Sequence, residues 1–288
     1  MTKAPAFLAS ELPETRPEQA RFHVLPVPWE ATVSYGGGTA AGPDAILHAS
    51  QQLEVFDGYS TPSDLGIVTH PAVDCTGGAE AVLGRIEAAT ARILDLGGTP
   101  VLLGGEHTVT LGALRALKKR FGAFGVVQFD AHADLRDTYS GTPFSHACVM
   151  RRACDLGLPL LQIGVRAISP AEIEFREATP AIAHLDATAI WENGIPSPLL
   201  PPDFPEQVYV TFDVDGLDSA VMPATGTPEP GGLTWREAMR AIRLATAGRR
   251  ILGLDVVELA PEPGMRHAEY TAARLTYMLM GAAQRCGK

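Results

Sequence analysis

The sequence predicts an α/β fold, a parallel sheet with helices on both faces. Two features carry that prediction. Short apolar runs rich in β-branched residues alternate with stretches of helical period, the order expected of βα units. Three of those runs also end in acidic or histidine-bearing turns, and open α/β sheets bind ligands at the carboxyl ends of their strands.

Taken in order, the Pro- and Glu-rich residues up to about Glu18 read as a loosely ordered arm. Phe22–Pro26 is the first expected strand. The loop Ser34-Tyr35-Gly36-Gly37-Gly38-Thr39 follows, and a helix starts at Gly42-Pro43-Asp44 and runs to about Val55. The glycines lack the spacing of a phosphate-binding loop, so they are read as structural, at the rim of a pocket. Leu65–Val68 is a second strand. The helix from about Gly78 to Leu96 places Val82, Ile86, Ala89, Ile93 and Leu96 on one face, and Gly97-Gly98 ends it. Pro100–Leu103 is a third strand, running into Gly104-Gly105-Glu106-His107-Thr108 before a helix to Phe121.

Gly125–Phe129 is a fourth strand, and further on Phe144-Ser145-His146 precedes a helical segment to about Leu156. Strands at Leu160–Gly164, Ala181–Leu185, Val208–Phe212 and Ile251–Val256 complete the set. Helices over Thr234–Ala247 and Arg266–Gln284 cover the last two, and Pro196–Pro205 is a connector rather than a domain boundary. No repeat or break in composition divides the chain, so residues 1–288 read as one domain, with 1–18 as its arm.

Composition narrows the function. The net charge of −10 argues against a nucleic-acid partner and suits a small cationic substrate. The 4 cysteines show no Cys-x-x-Cys spacing, which argues against a zinc–thiolate site or a disulfide framework. With no signal-peptide pattern and no apolar run long enough to span a bilayer, a cytoplasmic location is expected.

The chemistry concentrates at three strand ends. In Phe129-Asp130-Ala131-His132-Ala133-Asp134, the residues Asp130, His132 and Asp134 share one face of an extended backbone. Alone, this cluster reads equally as a metal site or as an acidic turn capping the next helix. The strand before His107 and the one before Asp213-Val214-Asp215 deliver further ligands to the same edge. Four carboxylates and two imidazoles exceed the needs of one divalent ion and suggest two ions with shared carboxylates. Oxygen-rich, thiol-free ligation favours manganese.

These motifs resemble, in order, the signatures of the ureohydrolases, the arginase/agmatinase family, with the agmatinase branch the nearer. Ser145-His146-Ala147, Gly226–Leu233 and Asp255-Val256-Val257-Glu258 add to the likeness, which runs from about Gly37 to the last helix. The resemblance implies a three-layer α/β/α sandwich with a mainly parallel eight-stranded sheet, the arginase-like fold. It implies two Mn2+ ions per subunit, one on His107 and Asp134, the other on His132 and Asp215, with Asp130 and Asp213 bridging. It further implies a homo-oligomer, trimer or hexamer.

The activity so implied is hydrolysis of agmatine to putrescine and urea, by attack of a metal-bridging hydroxide on the guanidinium carbon. Asp134 would orient the hydroxide, Glu258 would hold the guanidinium and His146 would carry the proton to the departing amine. His146 could instead cap its helix, and Glu258 could be an ordinary strand-end carboxylate. Ala147 and Ser219 replace the family's usual Gly and Pro, which leaves substrate identity more open than reaction type. N1-aminopropylagmatine, guanidinobutyrate and arginine are the alternative substrates. A phosphatase using Asp213-x-Asp215 would leave His107, Asp130 and His132 without a role, and a non-catalytic metal-binding scaffold would leave His146 and Glu258 idle.

Overall fold

The computed structural model describes residues 4–286. Eight strands form one sheet: β1 (Phe22–Val27), β2 (Ile67–Thr69), β3 (Thr99–Gly104), β4 (Gly125–Phe129), β5 (Leu160–Ile163), β6 (Ile182–Leu185), β7 (Gln207–Asp213) and β8 (Arg250–Val257). Every pairing is parallel, in the order β2-β1-β3-β8-β7-β4-β5-β6. The described helices are α1 (Gly42–Ser50), α2 (Ala79–Asp95), α3 (Thr110–Phe121), α4 (Val149–Asp155), α5 (Pro170–Glu177), α6 (Ala187–Asn193), α7 (Trp235–Thr246) and α8 (Arg266–Cys286).

Alternation of side chains along the strands builds three layers. Val101, Leu103, Val127 and Phe129 join α1, α7 and α8 in one core, whereas Leu102, Val126 and Val257 join α2, α3 and α4 in the other. Both faces of the central strands are therefore apolar, which is why those strands read as continuous hydrophobic runs.

The edges of several elements differ from expectation. Pro62–Leu65 forms a 3-10 turn, and the strand starts two residues later, at Ile67, because Gly66 takes φ +78° between them. The first helix stops at Ser50, whose hydroxyl folds back onto the Leu47 carbonyl. Two short helices, α5 and α6, fill the stretch between β5 and the connector. The segment read as an arm is in part packed: Phe7 and Leu8 are buried, and the Leu8 amide donates to Ser50 Oγ.

Strand order reverses after β3, which leads to β4 on the far side of β8 and β7. The carboxyl ends of β3, β8, β7 and β4 thus lie side by side, the position at which open α/β sheets form a ligand crevice.

Candidate active site

Register brings the polar residues together. Phe129 pairs with Phe212, so Asp130 and Asp213 follow each other's strand ends directly. Asp213 pairs with Val257, which sets Glu258 one residue beyond on the neighbouring strand. Beneath them the Phe129 and Phe212 rings stack at 4.8 Å, a rigid apolar floor. Gly216 allows the close approach: a Cβ there would meet the Asp130 amide nitrogen at 2.8 Å.

Two ligand groups form on this floor. His107, Asp130 and Asp134 each offer an atom within 4.8 Å of the others, as do Asp130, His132 and Asp215. His107 Nδ1 lies 3.1 Å from Asp130, 3.0 Å from Asp134 and 3.5 Å from Asp213, and His132 Nδ1 lies 3.0 Å from Asp215. Yet His107 Nδ1 is buried without a properly aligned hydrogen-bond partner. A buried nitrogen ringed by carboxylate oxygens but bonded to none fits a lone pair aimed at a shared cation.

Electrostatics gives the same answer. Burial alone would lower the pKa of His107, but Asp130, Asp134 and Asp213 outweigh it and hold the imidazole well above its ordinary range. His132, buried too, is pushed up to about 12 by Asp130 and Asp215. Asp213 is raised by burial and by the charges of Asp215 and Asp130. Without a cation, the imidazoles must carry protons to offset the carboxylates. The donor set therefore fits two divalent ions, whose binding would release those protons.

An outer ring holds the ligands. Thr211 Oγ1 lies 2.8 Å from His107 Nε2 and donates to buried Asp255, which also accepts from Thr110 and Tyr209. Gln162 donates to Gln128, whose amide donates to Asp130. A second hydrogen bond on the far ring nitrogen fixes the tautomer and orientation of a ligating His. Asp134 and Glu258 sit at φ +54° and +65°, the left-handed region that costs a side-chain-bearing residue energy.

The cleft above them is lined by Thr32, Ser34, Gly36, Thr39, His132, Asp134, His146, Asp213, Asp215, Gly226, Thr227 and Glu258. It opens into a wider chamber of about 340 Å³, walled by Arg136, Tyr139, Ile168 and Ser169. Glu258 Oε1 accepts from the His107 amide at 2.6 Å, while Oε2 takes no protein hydrogen bond among the described residues. Burial and the nearby charge of Glu106 raise the Glu258 pKa, so a cation arriving in the cleft would ionise it.

His146 occupies the opposite wall. Its Nδ1 lies 2.8 Å from Thr32 Oγ1 and its Nε2 2.8 Å from Ser34 Oγ, which is 3.0 Å from the Tyr139 hydroxyl. Burial, with the charges on His107 and His132, brings His146 down to about 4, below the intrinsic value expected of a proton carrier. The imidazole is neutral at pH 7.

Of the residues singled out in the sequence, His132, Asp134, Asp213, Asp215, His146 and Glu258 line this one crevice, and His107 and Asp130 lie buried in the same cluster. Sequence reasoning missed Thr32, Ser34, Glu106, Gln128, Gln162 and Thr211. Only Glu106 stood inside a motif; the rest are ordinary polar residues whose roles come from tertiary neighbours.

Known proteins share this architecture. The model of the arginase family matches residues 20–281. The chain is 39% identical to the N(1)-aminopropylagmatine ureohydrolase of Synechocystis sp., over 96% of this chain and 92% of that one. It is 34% identical to the agmatinase of Bacillus subtilis, over 92% and 91%. The solved structure of agmatine ureohydrolase of Thermoplasma volcanium superposes with a TM-score of 0.84 at 30% identity, covering 99% of this chain and 96% of that one. With the family match spanning the sheet and every strand end of the crevice, the chain belongs to the arginase family of ureohydrolases, hydrolytic enzymes acting on guanidino compounds.

Proposed function

We propose that the protein hydrolyses a guanidino-alkylamine, N1-aminopropylagmatine or agmatine, to urea and the corresponding amine. One observation carries this reading: Asp134, His132, Asp213 and Asp215, a free Glu258 oxygen and a neutral imidazole line a single cleft, with His107 and Asp130 buried in the same cluster beneath it. His107 and Asp134 would hold one divalent ion and His132 and Asp215 the other, with Asp130 and Asp213 shared. Manganese is the metal that the oxygen-rich set favours. Such ions supply Lewis acidity and make water a competent nucleophile near neutral pH.

The chain's own residues do the rest. Glu258 Oε2 accepts from the guanidinium and orients its plane, while Oε1 stays anchored to the His107 amide. Asp134, fixed in its strained backbone, accepts from the attacking water. His146, held neutral, takes up a proton and passes it to the departing amine, without which the tetrahedral adduct cannot collapse.

The longer amine merits first testing. Relatives named for N1-aminopropylagmatine reach 39% identity, against 34% for those named agmatinase, and the outer chamber has room for an extended tail. The test is urea release by manganese-loaded protein from N1-aminopropylagmatine, agmatine, guanidinobutyrate and arginine. Turnover confined to the two amines is expected; equal or better turnover of arginine would sink the choice.

A further inference from the structure

Arg166 stands outside every motif, just beyond β5, yet all of its guanidinium nitrogens donate to the protein. Nη2 donates to the carbonyls of Asp215 at 2.7 Å, Glu229 at 2.8 Å and Leu217 at 3.3 Å. Nε donates to Pro230 at 3.1 Å, and Nη1 to Gly164 at 3.1 Å. Every acceptor is a main-chain carbonyl, and no carboxylate pairs with this guanidinium among the described residues.

Those carbonyls belong to three separate segments. Gly164 ends β5. Asp215 and Leu217 belong to the turn after β7, and Asp215 is itself one of the proposed ligands. Glu229 and Pro230 lie in the loop 223–232, which sends Gly226 and Thr227 to the cleft wall. Thr227 Oγ1 reaches within 3.5 Å of Asp215 Oδ2, so the loop and the turn meet inside the site. A planar five-donor group can tie three backbones at once in fixed geometry, which a lysine ammonium cannot reproduce.

We propose that Arg166 is a positioning residue for substrate, clamping the loop 223–232 against the turn after β7 and so holding Thr227 in the cleft wall. This rests on the reading of the cleft as the substrate site. The loop carries its own reporter, since the exposed Trp191 ring packs against Gly231.

The experiment uses the full chain with Arg166→Lys, which keeps the charge. Acrylamide quenching of Trp191, isolated by difference against Trp191→Phe, should increase as the loop loosens. KM should rise about tenfold with kcat within about twofold, the pattern of lost binding rather than lost chemistry. In a Thr227→Ala background, Arg166→Lys should add no further rise in KM, because the residue it positions is gone. The same KM factor in both backgrounds, or unchanged Trp191 quenching, overturns the proposal. If wild-type protein releases urea from no guanidine, the assigned reaction fails, and Trp191 quenching alone still decides whether Arg166 holds the loop. Arg166→Gln is the second variant if the lysine form does not fold.

Discussion

Glu106 reaches His146 through one hydroxyl. Thr32 Oγ1 donates to Glu106 Oε1 at 2.9 Å and lies 2.8 Å from His146 Nδ1. With its proton committed to Glu106, the hydroxyl accepts from Nδ1–H, which leaves Nε2, facing the Ser34 hydroxyl, as the lone-pair position of the neutral ring. Glu106 also accepts from the Ala31 and Thr32 amides at 2.6 Å, so it holds the whole segment that faces the cleft.

Thr32→Val should therefore slow proton delivery without removing substrate contacts. We expect kcat to fall by about 10- to 100-fold, as for other supporting partners of a functional imidazole, with KM nearly unchanged. Steady-state rates of urea release check this, and an unchanged kcat would leave the hydroxyl without a role in orienting His146.

Glu258→Gln keeps the shape but removes the charge offered to the guanidinium. Loss of a charge-assisted hydrogen bond of about 2–3 kcal/mol corresponds to roughly 30- to 150-fold in kcat/KM. Metal content by plasma emission spectrometry should stay at the wild-type value, which separates a substrate-binding role from a ligand role. Loss of metal in this variant would reassign Glu258.

Removing the metal should cost both activity and stability. Ions that bind only the folded state stabilise it by mass action, and here they also relieve carboxylate repulsion. Chelation is expected to abolish urea release and lower Tm, and added manganese should restore both. Asp130→Ala should lose the manganese response, because Asp130 belongs to both ligand groups. A Tm rise equal to wild type in that variant would show that manganese acts elsewhere.

A pair of imidazoles far from the catalytic cleft gives a pH prediction. His23 Nδ1 lies 2.8 Å from His70 Nε2, and burial together with the neighbouring His70 charge lowers the pKa of His23. His70 is lowered by burial and by Arg92. Folded values below the unfolded ones mean the unfolded chain takes up more protons. The stability from keeping these rings neutral is thus intact above about pH 6.5 and is lost as pH falls through the folded values. His70→Gln should flatten the fall in unfolding free energy between about pH 7 and pH 5; an equal fall in both proteins would refute the assignment.

What could be read in the sequence depended on how local its cause was. The residues of the candidate site were legible because alternation along a strand end is a short-range pattern, as Asp130, His132 and Asp134, which the structure brings together, illustrate. Helices α2, α3, α7 and α8 were legible because their apolar faces recur with helical period. Helix α5 escaped because it is one short segment with Ile173 partly exposed, although Ser169 and Glu172 form a capping box that could have announced it. The clamp by Arg166 and the Thr211–Asp255 support were not legible at all. Both depend on which strands become neighbours, and β8 lies between β3 and β7 only once the sheet exists.

That strand order carries a consequence for assembly. The residues that would hold the ions sit at the ends of β3, β4 and β7, with Glu258 following β8, and β8 seats between β3 and β7, so strands distant in sequence must meet before the centre exists. A chain that ends before β8 would carry all six proposed ligands but lack the strand that seats between β3 and β7. Metal capture would accordingly be a finishing event, and uptake of the ions would serve as a clock for completion of the central sheet.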